Sequence, residues 1–158
     1  MALPGYLRIT GSEQGAIEGE CEAEGREGTV VVQGIEHQVK LPTDSRGLPN
    51  GRRIHMPICI TKDVDRTSPM LYQALSEGEI LSEVVIEWYR LDPTGVEELY
   101  YKQTLKNAQI TGIEFIVHNI LDAETKNFGH QEKVSLIYDD IIWCHEVFGI
   151  EYEDTFGG

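Results

Sequence analysis

The stretch HMPICITKDVDRTSPMLYQALSEGE (residues 55–79) decides the fold, because it holds the one well-marked helix in a chain that otherwise reads as strands. Ser68 is a good N-cap, Pro69 suits the first helical position, and Gly78 suits the residue just past the end. Leu71, Ala74 and Leu75 fall on one helical face. A helix of about 8–10 residues is too short to be stable alone in water, so it must pack on a sheet. Immediately before it, residues 54–62 read as a strand, with Cys59 in the apolar run PICI as a packing residue.

Working outward, GYLRITG (5–11) reads as a first strand. Residues 12–28 are acidic and glycine-rich, a loop with room for one short strand. Residues 29–41 alternate, with Val31, Ile35, Val39 and Leu41 on one face and Gln33 and His37 interrupting it. Residues 42–57 are rich in proline and glycine and carry Arg46, Arg52 and Arg53. Loops beyond about 12 residues are uncommon in compact domains, so this cationic one is either a docking segment for an acidic neighbour or an excursion with no partner. Residues 80–91 form a strand with Val84, Ile86 and Trp88 on one face, followed by the turn DPTG (92–95).

The run 96–120 is long and shifts phase, from Leu99, Tyr101 and Leu105 to Ala108 and Ile110, then to Ile113, Phe115 and Val117. Such a shift marks a bulge or a corner. Residues 132–152 read as the last strand, with Val134, Leu136 and Tyr138 on one face and a change of phase at Asp139-Asp140 that brings in Ile141 and Trp143. Residues 152–158 read as a flexible tail of a single domain spanning 1–158. The sum is mainly antiparallel β, about seven to nine strands and one helix, in a barrel or a two-sheet sandwich.

Composition narrows function by exclusion. The formal net charge is -14 and the pI about 4.6, a surface that repels a phosphate backbone, so nucleic acid is not an expected partner. Cys21, Cys59 and Cys144 form no CxxC pair, and an odd count fits reduced thiols. The N-terminus lacks a basic segment followed by an apolar one, and no apolar run approaches the ~18 residues that a membrane-spanning helix needs, so neither a cleaved signal peptide nor membrane insertion is expected.

No catalytic, cofactor-binding or metal-ligating residue is assigned. His37, His55, His118, His130 and His145 show no paired metal spacing. DVDRTSPMLYQA begins like a calcium loop and fails, with Ser68 where glycine and Ala74 where glutamate belong. Glu97-Glu98 and Asp139-Asp140 point to opposite faces of a strand. Two other readings remain: a small β-barrel hydrolase, which lacks a local motif, and a carbohydrate-binding sandwich resting on Trp88, Tyr89, Tyr100 and Tyr101.

HMPICITKDVDRTSPMLYQALSEGE, followed by VVIEWYR, GVEELYYKQTLKNAQITGIEF and EKVSLIYDDIIWCHE, closely resembles the Hcp family, the hemolysin-coregulated tube proteins of bacterial type VI secretion. The resemblance runs from GYLRITGSEQGAIEG to about residue 149, and the order of the elements is as telling as the words. It implies a small antiparallel β-barrel of two sheets with one short α-helix and a long extended loop. It also implies self-assembly into homohexameric rings that stack as a tube inside contractile sheath proteins, capped by a spike protein and able to carry effector cargo. Such a subunit starts in the cytoplasm and is secreted to the exterior or into a target cell without a cleaved signal peptide. The extended loop, with Pro42, Thr43, Asp44, Arg46, Leu48, Arg52 and Arg53, would then contact a neighbouring subunit, the arginines facing an acidic surface.

Overall fold

The computed structural model describes residues 2–157. Strand β1 (Gly5–Gly11) lies between β3 (Val30–Val32) and β8 (Leu81–Leu91) and also pairs with β2 (Gly15–Ile17) at its end. β8 pairs with the long β9 (Glu97–Ile116), β9 with β10 (Gln131–Ile137), β10 with β7 (Ile58–Asp63), and β7 with β4 (Gly34–Glu36), all antiparallel. β11 (Asp140–His145) lies against the first half of β9 and carries β12 (Ile150–Thr155) on its outer edge. A two-residue ladder joins β5 (Val39–Lys40) to β6 (Ile54–His55), and α1 spans Ser68–Glu77.

The corner expected in the run 96–120 is at Asn107. Its φ of 51° is the only positive value among the described non-glycine residues. Inward positions step from Gln103 and Leu105 to Ala108 and Ile110 across it. Residues up to Ala108 pair with β8 or β11, and from Gln109 onward the strand pairs with β10, so one strand serves two sheets. The chain returning beside it bends at the same level. Residues 132–152, expected as one strand, are β10, β11 and the first half of β12, and the Asp139 N–H donates to the Lys106 carbonyl at the bend. Phe115 and Val117, expected to face inward beyond the corner, are exposed because β9 has passed the end of the core there.

The same switching of partners corrects the expectation for residues 29–41. Val30 and Val32 are buried and Val31 is exposed, the reverse of the expected face. β3 pairs with β1 and β4 with β7, with the Gln33 N–H donating to Thr61 between them, so no single alternation runs through 29–41. This segment also explains how two sheets enclose one core without a closed ladder. The hydrogen-bonded path ends at β2 and β4, and chain continuity from β3 to β4 spans the gap. The expected tail is corrected as well. Glu153, Asp154 and Thr155 belong to β12, and Phe156 packs on the core with its N–H on the Asp139 carbonyl. Gly158 lies outside the described residues.

Helix α1 starts one residue earlier than expected, at Ser68. Thr67 is the N-cap and makes no side-chain cap bond, while Gly78 ends the helix at φ 68°. Leu71 and Ala74 are buried, and Leu75 packs against the core half-buried. Ser68 is drawn elsewhere: its hydroxyl donates to Glu132 at 2.7 Å and accepts from the Asp65 N–H at 3.0 Å. Lys62 and Glu132 form an ion pair with both side chains essentially inaccessible to water, and Asp65 lies 3.2 Å from the same ammonium. At the other end of α1, the buried Glu79 carboxylate accepts from the backbone of Glu13 and Gln14 and from the Gln14 amide. Burial pushes its carboxyl up, and these three donors more than offset that, leaving it below the ordinary range. Gly11 is required beside it, since a Cβ there would lie 2.1 Å from the Glu79 Oε2.

Two outcomes follow. Lys62→Met strands a buried carboxylate and should cost about 3–5 kcal/mol in denaturant unfolding, with part recovered in the Lys62→Met/Glu132→Leu double variant. Asn107→Val places a β-branched residue at positive φ and should cost about 1–2 kcal/mol, whereas Asn107→Gly should be near neutral.

Candidate functional site

The extended loop is an ordered arm. Its stem is the β5–β6 ladder, with Val39 opposite His55 and Lys40 opposite Ile54. Further out the Asn50 N–H donates to the Pro42 carbonyl at 2.7 Å, and Thr43 pairs with Pro49. At the tip the Asp44 carboxylate accepts from the N–H groups of Leu48 and Arg46, and these bonds hold its carboxyl below the usual range. Gly47 completes the turn at φ 80°. The arm presents Leu41, Leu48 and Ile54 to solvent, a set of apolar side chains with no covering element.

The seven residues expected at a subunit contact divide into three roles. Pro42, Thr43, Leu48 and Arg52 lie on the arm, and Arg52 makes no ion pair or hydrogen bond among the described residues. Asp44 organises the tip, and Arg46 leans on it at 3.4 Å while staying 78% exposed. Arg53, expected to face a neighbouring subunit, has a guanidinium that grips Asp154 of its own chain through Nε at 2.6 Å and Nη2 at 2.5 Å, and reaches the Thr155 carbonyl. β12 brings Asp154 within its reach, and a bidentate Arg–carboxylate pair outcompetes an exposed position. Arg53 therefore seats the arm on the body of the molecule.

The seat extends inward through groups that sequence reading left as ordinary strand residues. His55 Nε2 lies 2.8 Å from Asp154 Oδ2, and His55 Nδ1 lies 2.7 Å from the Tyr138 hydroxyl. His37 Nε2 lies 2.9 Å from the same hydroxyl. The Arg53 guanidinium holds the Asp154 carboxyl well below the usual range, so Asp154 only accepts. His55 Nε2 must then carry a proton, and a neutral His55 accepts at Nδ1 from the Tyr138 O–H. The Tyr138 oxygen in turn accepts from His37 Nε2–H. Burial lowers the His37 pKa, and the neighbouring His55 lowers it further, while burial followed by the Asp154 charge raises that of Tyr138. Trp143 stacks on His55 and on Tyr152, and Phe156 meets Tyr138 edge-on at 5.0 Å. His37 and His55 flank the arm, so one tyrosine holds both of its feet. Tyr138 was legible as inward-facing, but no local signal joins it to histidines 101 and 83 positions away.

The alternative chemistries find little here. The Asp154–His55–Tyr138 chain resembles a catalytic relay, but the His55 side chain is fully enclosed and Tyr138 is 3% exposed, leaving a substrate no approach. The interior cavity walled by Leu7, Ile60, Leu71 and Leu136 measures about 10 Å³, at the lower limit for one water. No group of three or more possible metal ligands occurs among the described residues. Of the aromatic surface, the Arg26 guanidinium covers Tyr89 at 4.1 Å and Arg90 covers Tyr100 at 4.8 Å, so those faces are not free to stack on a sugar. Among the described residues, no helix is long and apolar enough to cross a membrane.

Residues 6–145 match the family described as "Type VI secretion system effector, Hcp". The "Major exported protein" of Pseudomonas aeruginosa is 42% identical over 99% of this chain and 96% of its own length. Among solved structures, a crystal structure of an Hcp protein superposes with a TM-score of 0.89 at 31% identity, covering 97% of each chain. The secreted protein Hcp3 of Pseudomonas aeruginosa superposes at 0.82 with 37% identity, also over 97% of each. A match across nearly the whole length, joined to the same two-sheet fold, places this chain in the Hcp family of type VI secretion proteins.

Proposed function

We propose that this chain is a tube subunit that closes into homohexameric rings, which stack inside contractile sheath proteins beneath a spike protein and hold effector proteins in the channel. The observation that carries the reading is the arm: exposed apolar side chains and exposed positive charge, on a segment clamped at both feet. An arm that is rigid before it docks avoids the ordering cost that a floppy segment pays on association. Its Lys40, Arg46 and Arg52 stand out in a chain of net charge -14, so a second copy offers it acidic surface. Glu18, Glu20, Glu22 and Glu24 are exposed and supply such a surface. Export of the assembled tube, with subunits made in the cytoplasm, supplies the route outward.

Native mass spectrometry with negative-stain imaging tests this directly. A six-fold mass and open rings are expected, and a clean monomer at high micromolar concentration overturns it. Arg46→Glu/Arg52→Glu should weaken assembly while leaving the melting temperature near that of the parent. Arg53→Glu should lower the melting temperature first, since it strips Asp154 of its partner.

The clamp makes folding sensitive to acid. His37 has a lowered folded pKa, so between that value and 6.5 the unfolded chain binds the extra proton, and stability falls as pH drops through this window. Asp154 is also lowered, so its contribution is complete above 3.8 and is lost as pH falls further. Melting curves should show both limbs. His37→Gln should flatten the upper limb alone.

A further inference from the structure

We propose that the Asn50–Gly51 peptide in the arm is a site of spontaneous deamidation, and that assembly shields it. The shielding rests on the tube-subunit reading; the chemistry does not. Asn50 is exposed, and its side chain makes no hydrogen bond among the described residues. Gly51 has no Cβ to hinder attack, sits at φ 114°, and its N–H has no acceptor among the described residues. The Gly51 backbone nitrogen attacks the Asn50 Cγ, forming a C–N bond and expelling ammonia to leave a five-membered succinimide. Water then opens the ring. Cleavage of the side-chain carbonyl bond gives aspartate, and cleavage of the main-chain carbonyl bond gives isoaspartate. In balance, amide and water become carboxylate and ammonium, with no oxidant or cofactor.

The other three asparagines serve as internal controls. Asn107 sits in the β9 ladder before Ala108, Asn119 uses its Oδ1 to accept from the Leu121 N–H, and Asn127 precedes the bulky Phe128. Each faces a larger following residue or a fixed backbone, and both slow ring closure.

The product changes the arm in two ways. A new carboxylate appears beside Arg52 and Arg53 and reduces the positive charge that an acidic neighbour would meet. Isoaspartate also adds a methylene to the main chain, which displaces the Asn50 N–H from the Pro42 carbonyl. A subunit that stays unassembled would thereby lose its docking arm, an irreversible timer on the unused pool.

The test is incubation of the full chain in mildly alkaline buffer, followed by peptide mass mapping for replacement of NH by O and by enzymatic methyl labelling of isoaspartate. Conversion at Asn50, with Asn107, Asn119 and Asn127 retained, is expected. Asn50 persisting as long as the other three overturns the site. Asn50→Gln should remove the isoaspartate signal. Assembled rings and the Arg46→Glu/Arg52→Glu variant are then compared, and conversion about tenfold slower in rings is expected for a segment whose opening is suppressed. Equal rates in rings and free subunits overturn the shielding while leaving the site standing. If no rings form under any condition, the tube reading fails and the Asn50 result is untouched.

Discussion

Lys62 and Glu132 face each other directly across the β7–β10 ladder, where they also meet Ser68 in the first turn of α1 and Asp65 in the turn before it. A buried ion pair is a poor source of net stability, since desolvating both charges costs about as much as their attraction returns. Its value is positional. A slip of one residue in either strand would turn one charge to the outside and leave the other buried alone. The pair therefore fixes the register of two strands and the placement of the helix together. β9 pairs with the opposite edge of β10, so the position of β10 is passed to the strand that both sheets share. A core of aliphatic residues alone would penalise the same slip less, because Ile and Val tolerate displacement better than an unpaired carboxylate does.

The second fixed point is Tyr138, at the bend where the chain leaves one sheet for the other. Its position is set by β10 on one side and β11 on the other, and its hydroxyl orients both feet of the arm. The seat thus inherits its precision from the sheets and not from the arm's own two-residue ladder, which would be marginal alone. The hydroxyl has one proton, so it can donate to only one histidine. If both imidazoles were charged at the facing nitrogens, both would donate and that proton would lack its acceptor. The polarity of the chain, from His37 through Tyr138 and His55 to Asp154, is set at its far end by Arg53.

Much of this was legible wherever the determinant was local. The helix announced itself through Pro69 and Gly78, and the β9 corner through the broken alternation around Asn107. The DPTG turn follows from Asp92, whose carboxylate accepts from the Thr94 and Val96 N–H groups. Reading failed where a segment changes partners. Val30 to Glu36 serves two strands in turn, so its alternation is reset at Gln33. Residues 132–152 bend twice, and the C-terminal residues look tail-like until β11 and Arg53 are in place to hold them. The seat was illegible for the same reason: each member looks ordinary, and only tertiary structure brings Arg53 to Asp154. The charge run that suggested docking was a mixture, with Arg53 structural and Arg52 exposed.

That division bears on how a ring could form. The arm and its seat belong to one subunit, while the acidic segment at residues 18–24 lies elsewhere on the surface. A contact between two different patches is heterologous: it repeats head to tail and closes into a ring only if each arm holds the same angle. Small angular errors accumulate around the ring, so closure demands a stiff arm more than a sticky one. An arm held by Arg53, His55 and His37 at its base meets that demand. On the tube-subunit reading, its modest positive charge would steer approach against the repulsion of acidic neighbours, an effect that salt within a Debye length of about 8–10 Å would soften on both sides. Salt weakens the attraction at the arm and the repulsion between bodies together. On the tube-subunit reading, the exposed Leu41, Leu48 and Ile54 would supply the component of binding that salt does not screen.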